Sequence, residues 1–147
     1  MNPDRTLPAK DLLLAAFRGF PHDDHPMLEA AGELAQLHLV RERTPAAESV
    51  KIDRRRIQLM RTIDRWVTLG TPVPEIAAPE HTETVGRMVD RLACMTAQAF
   101  AALAFAPEAV FYDAWVQIEE MADGYQDLID DLRTGIRRLP DDPYDQW

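Results

Sequence analysis

The stretch His81-Thr82-Glu83-Thr84-Val85-Gly86-Arg87-Met88-Val89-Asp90-Arg91-Leu92 decides the fold of this chain. Thr82 suits a helix N-cap, because its hydroxyl can accept one of the N–H groups that a first turn leaves unpaired. Glu83 suits the positive end of the helix dipole. At about 100° per residue, Val85, Val89, Leu92, Thr96, Ala99 and Leu103 form one apolar stripe. Glu83, Asp90, Ala97 and Ala101 lie opposite, flanked by Gly86, Arg87, Ala93 and Cys94. A helix is therefore expected from residue 82 to about 105, apolar or small-sided nearly all round in its second half, as a helix packed on two sides should be. Its two acids must meet a second surface, either the preceding helix or another subunit.

Working outward, the prolines mark the other elements, since the ring fixes φ and removes a backbone donor. Gly70-Thr71-Pro72-Val73-Pro74 ends the preceding helix, which is expected to run from 45 to about 69. That helix has an outer face of Arg54, Arg55, Gln58, Arg61, Thr62 and Arg65. Its wide inner arc carries Val50, Ile52, Ile57, Leu59, Met60, Ile63, Trp66 and Val67. Residues 27–43 read as a helix whose inner face holds Leu28, Ala31, Leu34, Ala35 and His38. Residues 107 to about 139 read as the last helix, with a stripe from Val110 through Tyr125 to Ile136 and an acidic, solvated opposite face. Residues 11–20 read as a short apolar helix or turn, expected to lie as a lid across one end. The pattern predicts an all-α protein, an antiparallel four-helix bundle with an additional short N-terminal helix. Residues 1–147 form one domain, with a core from about 8 to 139 and a frayed tail over 140–147.

Composition removes several classes of function. A net charge of -9 with a pI near 4.8 argues against nucleic acid, whose phosphates call for a basic face; the Arg-rich run on one helix is outnumbered by acids elsewhere. Cys94 is the only cysteine, which leaves no disulfide framework and no Cys-based metal site, and it reads as a small core residue. The loop His22-Asp23-Asp24-His25 is too contiguous to close around a metal, and no cofactor is expected. No apolar run approaches the roughly 20 residues that span a bilayer. Met1-Asn2-Pro3-Asp4 lacks the features of a signal peptide, so a cytoplasmic location without membrane contact is expected.

Chemistry is confined to the polar residues that the helical wheels turn inward: His38, Asp53, Arg56, Asp64, Glu83 and Asp90, with Thr84 and Arg91 nearby. Asp53 and Asp64 share an azimuth on one helix but stand about 16 Å apart along it. Asp53 and Arg56 can pair at i,i+3. Charges in an apolar arc are costly unless paired. Glu-x-x-His pairs for a di-iron site are absent, as are the clustered carboxylates of a magnesium-dependent pyrophosphohydrolase, a phosphate-binding Gly loop and a Cys/His pairing. Two readings remain. In one, the set is a buried ion-pair network that fixes helix register. In the other, His38, Asp64 and Asp90 act as acid–base groups, with Asp53, Arg56, Glu83, Thr84 and Arg91 holding a small anionic ligand.

Thr82-Glu83-Thr84-x-Gly86-x-x-x-Asp90-Arg91-Leu92 resembles the signature of an uncharacterised bacterial helical family, a domain of unknown function with a short actinobacterial branch. Ile52-Asp53-Arg54-Arg55-Arg56-x-x-Leu59-x-x-x-Ile63-Asp64-x-Trp66 matches the same family in register, and Leu37-His38 resembles its Trp-His pair. Longer members carry Asn-Gln-Arg-Arg-Asn-Asp where this chain has Asp53-Arg54-Arg55-Arg56-Ile57-Gln58. The resemblance implies no reaction, but it selects Arg56, Asp64, Glu83, Thr84, Asp90 and Arg91. The expected function is a binding or interaction module that pairs with another protein or with itself through the third long helix. The alternatives are an enzyme acting on a small anionic metabolite and a divergent magnesium-dependent phosphohydrolase.

Overall fold

Prolines or capping side chains mark where three of the long helices of this chain begin. The structure, a computed structural model that describes residues 7–141 and 144, contains α1 (Lys10–Phe17), α2 (Pro26–Glu42), α3 (Val50–Gly70), α4 (Val85–Ala102) and α5 (Glu108–Thr134). Pro26 occupies the first turn of α2, and His25 caps it by accepting the Met27 N–H on Nδ1 at 3.1 Å. A 3-10 turn at Ala46–Glu48 precedes α3, so the segment after Pro45 joins that helix only from Val50. Thr84, not Thr82, caps α4, with its Oγ1 accepting the Arg87 N–H at 3.2 Å. Helix α5 stops at Thr134 and not near 139, because Gly135 takes a φ of 75°. There Gly135 N–H returns to Leu132 O and Ile136 N–H to Asp131 O, which closes the helix end.

The chain is all-helical. Among the described residues extended backbone pairs only at one bridge, between Glu80 and Arg138. Helix α4 is the hub and packs on α1, α2, α3 and α5. Its buried residues run almost round the helix, from Val85, Met88, Val89 and Leu92 to Gly86, Asp90, Ala93 and Ala97. The small-residue side is thus covered within the chain. A Cβ added at Gly86 would press into the Met60 carbonyl oxygen of α3 and lie 2.9 Å from Asp64 Oδ1. Helix α1 packs on α2, α4 and α5, with Leu13, Ala16 and Phe17 buried. It contributes Leu13, Leu14, Ala16 and Phe17 to the core.

Helix α5 is buried only from Ile118 onward, at Ile118, Ala122, Tyr125, Leu128, Ile129 and Leu132. Val110, expected in the apolar stripe, is 50% exposed, and Ile136 stands exposed beyond the helix end. The acidic face of α5 is solvated at Asp113, Glu119, Glu120, Asp123 and Asp127. The connection before α4 is tied to the chain leaving α5. Glu75 N–H bonds Gly135 O at 2.9 Å, His81 N–H bonds Arg138 O at 2.7 Å, and Arg138 N–H bonds Pro79 O at 2.9 Å. Among the described residues no helix is long and apolar enough to cross a membrane.

Candidate functional site

Three helices each contribute to one buried polar network. Helix α2 supplies His38, α3 supplies Asp53 and Arg56, and α4 supplies Asp90. Both Asp90 oxygens are engaged. Oδ1 accepts from His38 Nε2 at 2.9 Å and Arg56 Nε at 3.1 Å, and Oδ2 accepts from Arg56 Nη2 at 2.7 Å. Arg56 reaches in the other direction through Nη1 to Asp53 Oδ1 at 2.8 Å, where Arg41 Nε also donates at 2.9 Å. The side chains of His38, Asp90 and Arg56 are 7%, 11% and 12% exposed. A paired, hydrogen-bonded arrangement is what such burial requires.

The electrostatics follow from this geometry. Burial pushes His38 down, but the hydrogen bond and charge of Asp90, with a contact from Cys94, outweigh it and hold the imidazole at about 9. Burial also opposes ionisation of Asp90, yet the donors of His38 and Arg56 keep its carboxyl below the usual range. Asp53 is held down in the same way by Arg41 and Arg56. At neutral pH the network therefore alternates cations and carboxylates, with His38 as an imidazolium.

One side of the network opens into a cavity of about 440 Å³, walled by His38, Arg56, Glu83, Arg87, Asp90, Arg91 and Cys94. The α4 members recur every three or four residues and so share a face. Arg91 forms an ion pair with Glu83 at the rim, where the Arg91 side chain is 47% exposed. Four cationic side chains thus face two carboxylates.

Of the residues singled out from the sequence, His38, Asp53, Arg56 and Asp90 come together in the network, and Glu83 and Arg91 join them at the cavity. Asp64 and Thr84 do not. They sit at the start of α4, where Asp64 Oδ1 accepts the Gly86 N–H at 2.7 Å and so meets the positive end of the helix. Tyr144 joins the pair, donating to Asp64 Oδ2 at 2.7 Å and lying 2.7 Å from Thr84 Oγ1. Tyr144 belongs to the expected tail, yet it is 3% exposed; positions 142, 143 and 145–147 lie outside the described residues.

Three further participants, Arg87, Cys94 and Tyr144, stand outside the inward polar set. Arg87 shows its signal in the spacing 83, 87, 90, 91, 94. Cys94, read as core, touches His38 and lines the cavity, so a Cys/His contact is present after all. Tyr144 carries no local signal. Among the described residues no three His, Cys, Asp or Glu side chains converge as metal ligands. In the loop before α2, His22 Nδ1 bonds Asp23 O and His25 caps the helix. A comparison with protein-family models, curated proteins and solved structures finds no match for this chain.

Proposed function

We propose that this protein is a binding module whose ligand is a small anion held in the cavity between α2, α3 and α4. One observation carries the reading: four cationic side chains face two carboxylates around one opening of about 440 Å³, in a chain of net charge -9. The floor is fixed, because Arg56 and His38 are locked on Asp90. The rim is adjustable. The Glu83–Arg91 pair is half-exposed on its Arg91 side and contributes on the order of 1 kcal/mol, so an incoming phosphate or carboxylate can take the place of Glu83 on Arg91 with little loss. Proton abstraction is less well supported than binding. His38 is already protonated, and Asp53 and Asp90 are poor bases while their arginines hold them. A magnesium-dependent phosphohydrolase finds less support still, since the cavity carboxylates are committed to cations.

The relationship to the uncharacterised helical family, a cytoplasmic location and an antiparallel arrangement of the four long helices belong to the same reading. In its support, the signature positions Glu83, Asp90 and Arg91 line the cavity, while Thr84 and Gly86 set the start of α4 beside it.

The test is calorimetry at low salt with inorganic phosphate, pyrophosphate and succinate. At least one is expected to bind, with affinity falling as salt rises and by about tenfold in Arg91→Gln. Failure of all three anions at millimolar concentration would overturn the assignment.

The exposed apolar end formed by Leu103, Phe105, Val110 and Tyr112 favours self-association as a second reading.

A further inference from the structure

A second cavity, of about 280 Å³, lies between the end of α1 and the second halves of α2 and α4, and shares no residue with the first. Its walls are mainly apolar, from Phe17, Phe20, Leu39 and Phe100. The turn that ends α1 builds one wall. Gly19 adopts a φ of 78°, its N–H returns to Ala16 O at 3.0 Å, and the Phe20 N–H returns to Ala15 O at 3.1 Å. This stop fixes Arg18 and Phe20 at the rim.

Two polar groups break the apolar lining, one at each depth. At the rim, the exposed Arg18 guanidinium stands 4.8 Å from the Phe20 ring centroid, 5.2 Å from Phe100 and 5.9 Å from Trp115. Among the described residues no carboxylate pairs with it. Three rings hold a planar fork whose donors match a carboxylate. In the wall, Thr96 is 2% exposed and its Oγ1 has no hydrogen-bond partner in the protein. A helical threonine ordinarily returns its hydroxyl to the preceding turn, and a buried hydroxyl without a partner works against folding. Thr96 has two accessible χ1 positions in a helix, so turning the hydroxyl toward a guest breaks no existing bond.

This pairing selects a chemistry. A cation is repelled by Arg18, and a dianion meets only one cation among apolar walls. A purely apolar guest leaves both polar groups without a bond. The volume lies just below the range of about 300–1,000 Å³ common for ligand sites, which suits a single ring or a short chain. We propose that this cavity binds a small amphipathic monocarboxylate with its carboxylate on Arg18 at the rim. Its apolar body lies against Phe17, Phe20, Leu39 and Phe100, and an oxygen at the far end meets the Thr96 hydroxyl.

Titration calorimetry with three probes tests it: 4-hydroxyphenylacetate, phenylacetate, and the neutral alcohol 4-(2-hydroxyethyl)phenol. The first is expected to bind the wild-type chain about tenfold more tightly than the neutral alcohol, and Arg18→Gln should erase that difference. Phenylacetate should bind several-fold more weakly than its hydroxylated counterpart in the wild type and equally in Thr96→Val. Thr96→Val should melt no lower than the wild type, which separates lost binding from lost folding. Absence of binding by 4-hydroxyphenylacetate, indifference to Arg18→Gln, or equal wild-type affinity for the two acids would each overturn the proposal. So would binding that disappears as protein concentration rises, which would assign the cavity to a side chain of a second copy.

Discussion

His38 is the residue whose environment has the most direct measurable consequence. Burial opposes its protonation, but Asp90 and Cys94 override burial and hold it at about 9, above the ordinary value of 6.5. A histidine raised in this way adds stability that is complete below its unfolded value and lost as pH climbs through its folded value. Asp90 behaves in the opposite sense. Its carboxyl is held below its ordinary 3.8, so its contribution is present above that value and disappears as acid protonates the folded state. Stability is therefore expected to fall between about pH 6.5 and 9, by at most about 3 kcal/mol. His38→Gln should remove that slope while lowering stability at pH 6. Denaturant midpoints at pH 6 and pH 9 for both proteins check it, and equal slopes would sink the assignment.

The element that matters most is α4, and its first turn is where the sequence is least replaceable. Gly86 lets the backbone of α4 approach α3 so closely that an added Cβ meets the Met60 carbonyl and the Asp64 carboxylate. Gly86→Ala is expected to cost about 1–3 kcal/mol through overpacking and to loosen the Asp64 cap. Gly124→Ala on α5 serves as the control. The nearest atom to its added Cβ is Met88 Cε at 4.0 Å, so it should be neutral or stabilising by about 0.5–1 kcal/mol. Comparing thermal melts of the two variants decides the point. The existence of each helix was legible from proline positions and the 3.6 period. The boundaries were not. Thr82 and Thr84 are equally good N-caps by composition, and only Asp64 and Tyr144, from distant segments, decide in favour of Thr84. Ile136 continues the apolar period of α5 past Gly135, although a glycine in that place is itself a stop signal. For the candidate site, azimuth showed which side chains turn inward but not which neighbour each meets. The spacing of Asp53 and Asp64 already separated them along α3. That Asp53 serves the network while Asp64 caps α4 depended on how far α4 slides along α3, a register that Gly86 sets and no periodicity reports.

At the scale of the molecule, charge and apolar surface are segregated. Cations gather on the cavity between α2, α3 and α4, acids line the outer face of α5, and exposed Leu103, Phe105, Val110 and Tyr112 mark the α4–α5 end. If that end is an interface, light scattering at high micromolar concentration should report a dimer, and Phe105→Asp should return it to a monomer; a wild-type monomer there removes the self-association reading. The ties between the connection before α4 and the chain leaving α5 have a different consequence, one of order in time. Backbone donors at Glu75 and His81 find their acceptors at Gly135 and Arg138, and Tyr144 donates to Asp64. During synthesis, at about 5–20 residues per second, α1 to α3 emerge and can pair locally while this connection waits through the making of two more helices. The start of α4, which positions one whole wall of the candidate site, acquires its last hydrogen bonds only when residues far along the chain have left the ribosome.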